Sequence, residues 1–273
     1  MSIKNQYLGF LNSSSLWQGR FSDVIQFDFE ALNTPAIIPD ILPFSISENE
    51  VLGKCIEQFF AYTIDNTKDY QIITKNNQIF NDKITIGEID FMIRDLQNSK
   101  ILHIELVYKF YIYDPSITTE IDRWIGPNRK DSLSQKIKKL KNKQLPLLYR
   151  QETLSLLDSL NLKSQHIDQK VCYMANLFVP ISHIGKKLPH INPKCIIGYW
   201  IKFEDFTAKG YFTNQFYIPK KRDWVTSPDT NRIWFSFASI LEQVKSSLLQ
   251  KKSPLLWMKS NEDSYQRFFI VWW

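Results

Sequence analysis

One stretch, residues 87–111 (GEIDFMIRDLQNSKILHIELVYKFY), constrains the fold most, because it places acidic residues inside two apolar runs. In the first run, the period of two of a β-strand puts Asp90 in mid-strand. The second run, residues 101–110, is rich in Ile, Leu, Val and Tyr, which is typical of a strand covered on both faces, yet Glu105 stands in its middle. We therefore predict a β-hairpin that carries a carboxylate on each of its two strands.

The two carboxylates need a reason to be there. An ionised group inside a protein is tolerated when it is paired, hydrogen-bonded or bound to a metal. Two such groups on adjacent strands therefore indicate a shared cation. We expect the carboxylates of Asp90 and Glu105 to lie roughly 3 to 6 Å apart, since metal–oxygen distances are ~2.0–2.6 Å.

The pattern around the hairpin predicts an α-β-β-β-α-β order in a mixed sheet. Its elements are a helix over residues 48–64 with Ser45 or Ser47 as N-cap, a strand over 69–74 followed by a turn at Asn76-Asn77, the hairpin, a helix from Asp131 or Ser132 to Lys143, and a strand over 171–179. A strand-helix-strand step with a right-handed crossover sets the last strand parallel to its neighbour.

We divide the chain into an N-terminal arm (residues 1–46), a core (47–180) and a C-terminal β-rich extension packed on the core (181–273). The extension contains short aromatic strands and a helix near residues 231–249. Its Lys220-Lys221-Arg222 run allows two interpretations: a phosphate and base-stacking surface for nucleic acid, or a charged turn over an ordinary core.

The net charge of the 273-residue chain is +6, which favours acidic partners. Residues 120–146 hold eight basic and three acidic residues, a net +5. This segment is either a solvated helix face or a face that contacts phosphates. On the second interpretation the nucleic-acid contacts are Arg129, Lys130, Lys138, Lys139 and Lys141.

Other classes of protein fit the sequence poorly. Its three cysteines have no metal-ligand spacing and are expected to be buried thiols in a reducing cytosol. No apolar run approaches ~18 residues, so we expect a cytoplasmic protein without a membrane partner. No P-loop, dinucleotide-binding glycine pattern, nucleophile elbow or HExxH motif is present.

The GEID stretch at residues 87–90, followed by Glu105 in an apolar strand, resembles the PD-(D/E)XK nuclease superfamily. More closely, the stretches GEIDFMIRD, HIELVYKFYI and WIGPNRKDSL, with the spacing of Lys136, Leu140, Gln144, Leu145 and Pro146, resemble the bacterial "domain of unknown function 1853" family, which is itself similar to such nucleases. The detailed match covers roughly residues 51–147. The resemblance implies an α/β fold with a restriction-endonuclease-like αβββαβ core.

The resemblance also implies site residues. Asp90 and Glu105 would ligate Mg²⁺ or Mn²⁺, with the Leu106 carbonyl as a further oxygen ligand. The superfamily usually places a lysine two residues after the glutamate, but Val107 holds that position here, and Lys109 is the matching lysine in order. Lys136 or Lys139 would substitute if Lys109 lies too far away.

Three helix residues are also expected at the site, since related nucleases present helix side chains there: Glu57, Gln135 and Lys136. His103 shares a strand face with Glu105, and is either a metal ligand or a hydrogen-bonded core histidine. The function expected is a metal-dependent nuclease that hydrolyses DNA or RNA. The alternative is a catalytically inactive nuclease-like module that binds nucleic acid or a protein partner.

Overall fold

The computed structural model describes residues 1–32 and 38–273, so residues 33–37 of the predicted N-terminal arm lie outside the described part. The fold is mixed α/β. The helices are α1 (Ile3–Leu11), α2 (Leu52–Asp65), α3 (Leu133–Lys139), α4 (Leu154–Ser159), α5 (Ala208–Tyr211) and α6 (Phe237–Leu249). The strands are β1 (Arg20–Phe21), β2 (Val24–Ile25), β3 (Tyr70–Asn81), β4 (Ile84–Asp95), β5 (Ile101–Tyr113), β6 (Trp124–Ile125), β7 (Ile167–Pro180), β8 (Ile196–Lys202), β9 (Gln215–Tyr217), β10 (Phe235–Ser236), β11 (Leu255–Asn261) and β12 (Ser264–Val271).

Ten strands form one mixed sheet in the order β10-β9-β11-β12-β8-β7-β5-β4-β3, with β6 paired to β5. The hairpins β3-β4 and β4-β5 are antiparallel. Strand β7 is parallel to β5 from Ile101↔Ile167 to Ile112↔Phe178, and β8 is parallel to β7. The predicted mixed sheet, with a parallel strand after the helix that follows the hairpin, is therefore confirmed.

The order α2-β3-β4-β5-α3-β7 agrees with the predicted α-β-β-β-α-β order, with the two-residue strand β6 inserted before α3 and the short helix α4 after it. Two local predictions were wrong. Helix α2 begins after Val51, whose side chain makes no cap, rather than at Ser45 or Ser47. Asn76-Asn77 is not a turn, because β3 is continuous through both residues; the positive φ of Asn76 (55°) is taken up inside the strand.

The two faces of β5 contact different helices. Ile104 and Ile112 join the core cluster that includes Phe59 of α2, whereas Val107 and Tyr111 join the cluster that includes Leu133 and Ile137 of α3. Because side chains alternate along a strand, Glu105 lies on the α3 face. Helices α2 and α3 therefore cover opposite faces of β5, and the Glu105 side chain lies on the face that contacts α3 and the segment after it.

Gly87 of the GEID stretch allows this segment to lie close to β4. A Cβ built on Gly87 would lie 2.6 Å from Cδ2 of Leu147, closer than real Cβ contacts allow. Leu147 therefore packs directly on the backbone of β4 and holds the chain that follows α3 against the sheet. Because Leu147 packs against Gly87, the side chain of Gln144, three residues earlier, lies close enough to Glu105 to form a hydrogen bond with it.

The C-terminal residues continue the same sheet through β8 and β12. The indole N–H of Trp200 donates to the Tyr113 carbonyl at 2.9 Å, and that of Trp273 donates to the Pro127 carbonyl at 3.3 Å. The boundaries at residues 46 and 180 stay predictions. All three cysteines are buried and free, as expected. In the described ranges, no helix combines the length and apolar character needed to cross a membrane.

Candidate functional site

Asp90 lies where β4 and β5 stop pairing through their backbones. The paired register runs from Arg94↔Ile101 to Phe91↔Ile104. At the next position Oδ2 of Asp90 accepts the Leu106 backbone N–H at 2.9 Å. The carboxylate thus takes the place of a backbone acceptor and lies between the two strands.

The raised pKa of Asp90 shows that burial and nearby negative charge outweigh the positive charge around this carboxylate. Burial and the negative charge of Glu105 raise the pKa of Asp90 to about 7, and Glu57 adds to the rise. The Leu106 N–H and the positive charge of Lys136 lower the pKa of Asp90 but do not offset the other effects. A cation beside the two carboxylates would relieve this repulsion.

Glu105 is completely buried, and both of its oxygens accept hydrogen bonds. His103 Nε2 lies 3.0 Å from Oε1, and Gln144 Nε2 donates to Oε2. On the far side of the ring, Gln169 Nε2 lies 2.9 Å from His103 Nδ1 and also donates to the Leu145 carbonyl at 2.6 Å. This pattern fits the tautomer in which Nδ1 accepts and Nε2 donates. His103 is therefore a hydrogen-bonded core histidine that orients Glu105.

Lys136 is the lysine that reaches this cluster. Its Nζ donates to Oε1 of Gln144 at 2.7 Å, so the Gln144 amide joins Lys136 to Glu105. Burial and the charge of Lys139 lower the pKa of Lys136 to about 8, while the charges of Glu105 and Asp90 act in the opposite direction. A lysine whose pKa is lowered in this way by burial and a neighbouring charge is a candidate for a functional site.

The other predicted site residues are placed differently. Lys109 pairs with Asp131 at 2.6 Å, and Glu57 pairs with Lys54 at 2.7 Å. Both still act on the cluster through their charges, since Lys109 lowers the pKa of Lys136 and Glu57 raises that of Asp90. Gln135 is exposed, and its backbone N–H donates to Oγ of Ser132, the N-cap of α3.

The sequence does not predict a role for Gln144 at the site, although Gln144 is part of the spacing that resembles the family. Residues eight apart in a regular α-helix lie about 80° apart around the axis. Here the chain widens into a π-helix over Leu140–Gln144, which brings Gln144 back into line with Lys136. π-Helical turns are frequent at functional sites.

A cavity of about 590 Å³ opens beside the cluster. Leu106 and Lys136 line it and also contact the carboxylate cluster, so the carboxylates lie just behind its wall. The Lys220-Lys221-Arg222 run lines the same cavity. Arg222 is tethered there, because its Nη1 donates to the carbonyls of Ser47 and Glu48.

The predicted nucleic-acid contacts fall into two groups. Lys130, Lys138 and Lys139 are exposed. Lys141 pairs with Asp23 at 2.9 Å. Arg129 pairs with Asp114 at 3.0 Å, and its guanidinium lies 4.4 Å from the ring centre of Trp273. Arg129 therefore tethers the C-terminal residues, whereas the three lysines face solvent.

Asp90 and Glu105 match Mg²⁺ or Mn²⁺ in the chemistry of their oxygens. Mg²⁺ is commonly held by one or two carboxylates, with phosphate and water oxygens completing the shell. Among residues 1–32 and 38–273, no group of three or more His, Cys, Asp or Glu side chains is arranged to hold a metal ion. The side-chain ligands of such a site would therefore be the two carboxylates, and the Leu106 carbonyl stays a predicted further ligand.

Comparison with known proteins gives one match. A family model described as "Domain of unknown function (DUF1853)" matches residues 26–271, which is most of the chain. No curated protein and no solved structure matches the chain significantly. The matched range includes the hairpin, α3, the π-helical segment and the C-terminal strands. The chain therefore belongs to the family of the domain of unknown function DUF1853.

Proposed function

We propose that this protein is a metal-dependent nuclease that hydrolyses phosphodiester bonds of DNA or RNA, built on a restriction-endonuclease-like core. The observation that carries the proposal is the meeting of Asp90, Glu105 and Lys136 next to a cavity whose lining, among the described residues, holds five basic and four acidic residues. An acid pair on adjacent strands beside a lysine is the arrangement that the PD-(D/E)XK superfamily would require of this chain.

The element order α2-β3-β4-β5-α3-β7 supports the core part of the proposal, since the resemblance implies that order. The acids also lie at the positions that the resemblance assigns, Asp90 in β4 and Glu105 in β5. These two observations rest on different features of the sequence. The order of helices and strands follows from the pattern of apolar residues, whereas Asp90 and Glu105 interrupt that pattern.

Asp90 and Glu105 would hold Mg²⁺ or Mn²⁺, which would polarise the scissile phosphate and lower the pKa of an attacking water. The chain's own groups prepare this site. His103 and Gln144 fix the orientation of Glu105, and the Leu106 N–H fixes that of Asp90. Fixed dipoles of this kind need no rearrangement when charge develops on the phosphate.

The lysine of the reaction is assigned to Lys136 rather than Lys109. Lys136 reaches Glu105 through one amide, whereas the Lys109 ammonium is engaged by Asp131. In its protonated form Lys136 would stabilise negative charge on a phosphate oxygen in the transition state. Lys109 then has a supporting role at the cavity wall, where its charge lowers the pKa of Lys136.

Nucleic acid is proposed as the partner because lysines stand at one side of the cavity and on the exposed face of α3, although Glu48, Glu50, Glu57 and Asp131 also line the cavity. Lys220 and Lys221 line the cavity, and Lys138 and Lys139 are exposed on the helix that carries Lys136. Contacts of this kind neutralise backbone phosphates and make binding depend on salt.

The test is cleavage of single- and double-stranded DNA and RNA with Mg²⁺ or Mn²⁺, run beside calorimetric titration of the ion. Asp90→Asn and Glu105→Gln keep side-chain size but remove the charge, so we expect both variants to lose cleavage and ion binding. Glu262→Gln, an exposed acid far along the chain, is the matched control. If the wild type neither binds the ion nor cuts any substrate, the nuclease proposal fails.

A second candidate is a non-catalytic module that binds nucleic acid or a protein partner. It is favoured by the complete burial of Glu105, whose two oxygens already accept hydrogen bonds from His103 and Gln144. Binding of nucleic acid without cleavage, unchanged in the Glu105→Gln variant, would support this module and contradict the nuclease.

A further inference from the structure

Arg267 is an ionisable residue in the middle of β12, away from the proposed nuclease site. Its backbone pairs with Trp257 of β11. Because side chains alternate, Arg267 shares a sheet face with Phe269, which belongs to the core cluster that includes Tyr7 and Phe10 of α1. Burial lowers the pKa of Arg267. The Arg267 side chain is half-buried and lines a groove beside α1.

No hydrogen bond or ion pair engages the Arg267 side chain within the described ranges 1–32 and 38–273. Asp229 and the Tyr108 hydroxyl influence its charge from a distance, and both favour the protonated form. Tyr108 itself is occupied by Ser13 and Asn176, at 2.7 and 2.8 Å. A guanidinium has five N–H donors. The Arg267 side chain is half-buried and lines a groove, so its donors remain available to a ligand there.

Arg267 faces a groove of about 830 Å³, which is within the size range of small-molecule sites. The groove runs between α1 and the loop at residues 225–230, over Asn176 and Ile197 of the sheet. Neutral polar side chains make up much of its lining: Asn5, Asn12, Ser13, Asn176, Ser227, Thr230 and Gln266. Two exposed carboxylates, Asp229 and Asp263, also line it.

We infer that this groove binds a small metabolite whose carboxylate or phosphate accepts hydrogen bonds from the Arg267 guanidinium. The planar fork of arginine matches both oxyanions in a bidentate manner. The body of the ligand carries hydroxyl or amino groups, for which the amide, hydroxyl and carboxylate oxygens of the lining are acceptors. Asp229 and Asp263 repel a polyanion, so the groove is not a continuation of the proposed nucleic-acid surface.

The test is isothermal titration calorimetry of the full chain with two probes. Ribose 5-phosphate carries a phosphate and hydroxyls, and L-glutamate carries carboxylates and an ammonium, so the pair distinguishes the two oxyanions. Ribose is the uncharged control. We expect one of the charged probes to bind the wild type, and Arg267→Met to raise its Kd by about 30-fold or more.

Arg94→Met is the matched control, since Arg94 is an exposed arginine of β4, and it should leave the Kd unchanged. Arg267→Lys keeps the charge but loses the fork, and should bind more weakly than the wild type and more tightly than Arg267→Met. The thermal midpoint of Arg267→Met should equal or exceed that of the wild type without ligand, because a half-buried charge without an ion-pair partner is removed. Failure of both probes to bind the wild type, or equal binding by Arg267→Met, would overturn the inference; neither result affects the proposed nuclease.

Discussion

The backbone N–H of Leu106 donates a hydrogen bond of 2.9 Å to Oδ2 of Asp90. This contact turns the Asp90 side chain toward β5, where it meets the charge of Glu105 and its pKa rises to about 7. A single backbone donor is not enough to offset burial and a neighbouring carboxylate. The protein therefore keeps a proton on Asp90 over part of the pH range in which an exposed aspartate is ionised.

The first prediction concerns stability. The folded pKa of Asp90 lies above the unfolded value of about 3.9, so its proton stabilises the folded state fully below that value, and this stabilisation is lost as pH rises through 7. The free energy of unfolding of the wild type, relative to Asp90→Asn, should fall by about 2–4 kcal/mol between pH 4 and 8. Urea unfolding across that range measures it. Relative to Glu262→Gln, which keeps Asp90, the wild type should show no such slope. A free-energy difference between wild type and Asp90→Asn that stays constant with pH would contradict the prediction.

The second prediction concerns Gln144. Gln144→Leu keeps the approximate volume but removes the donor to Glu105 and the acceptor of Lys136, leaving buried polar groups without partners. The free energy of unfolding should fall by about 1–3 kcal/mol. Gln135→Leu changes an exposed residue of the same helical segment and should stay within about 0.5 kcal/mol of the wild type. Equal effects of the two substitutions in denaturant unfolding would show that the Gln144 amide is not needed.

The third prediction compares two lysines at the cavity. Lys136→Met should lower kcat for phosphodiester cleavage by about 10²–10³, because it removes the ammonium nearest the carboxylates, whereas Lys109→Met should lower it less. Single-turnover kinetics with each variant measures the effect. Lys136→Met should also raise the pKa of Asp90 further, since Lys136 lowers it, and carboxyl NMR reads this shift without any substrate. A larger loss of kcat in Lys109→Met would reverse the assignment.

The fourth prediction concerns the basic helix face. Lys138→Gln and Lys139→Gln should each flatten the dependence of log K on log salt by about 0.7–0.9 if the lysine contacts a phosphate. Lys163→Gln, an exposed lysine outside residues 120–146, should leave the slope unchanged. Binding titrations at several salt concentrations give the slopes. An unchanged slope in Lys138→Gln and Lys139→Gln would show that these lysines do not contact phosphates and belong to a solvated helix face.

The local features of the core could be predicted from the sequence because they follow short periodic patterns. The apolar runs of β5 and β7 predicted their strand character, and of the two predicted helix starts, Asp131 and Ser132, the structure has Ser132 as the N-cap of α3. The carboxylates stood out because they interrupt those runs. Burial of the three cysteines follows from the same apolar surroundings.

The missed features depend on contacts that are distant in the sequence or on departures from regular geometry. The role of Gln144 depends on the π-helical turn that aligns it with Lys136, and no propensity rule predicts that turn. The pairing of Lys109 with Asp131 depends on where α3 begins relative to β5. The Asn76-Asn77 pair shows the opposite error, in which a strong turn signal was overridden by pairing along β3.

The position of β12 has a consequence for how the chain folds. β12 follows every other strand of the described sheet, yet it lies in the interior, parallel to β8 and antiparallel to β11. Until residues 264–271 have been synthesised, β8 carries an unpaired edge of backbone donors and acceptors, and such edges recruit other chains. Folding intermediates that lack the last strand should therefore be the species most prone to aggregate, and chaperones that shield strand edges should matter most for this protein late in its synthesis.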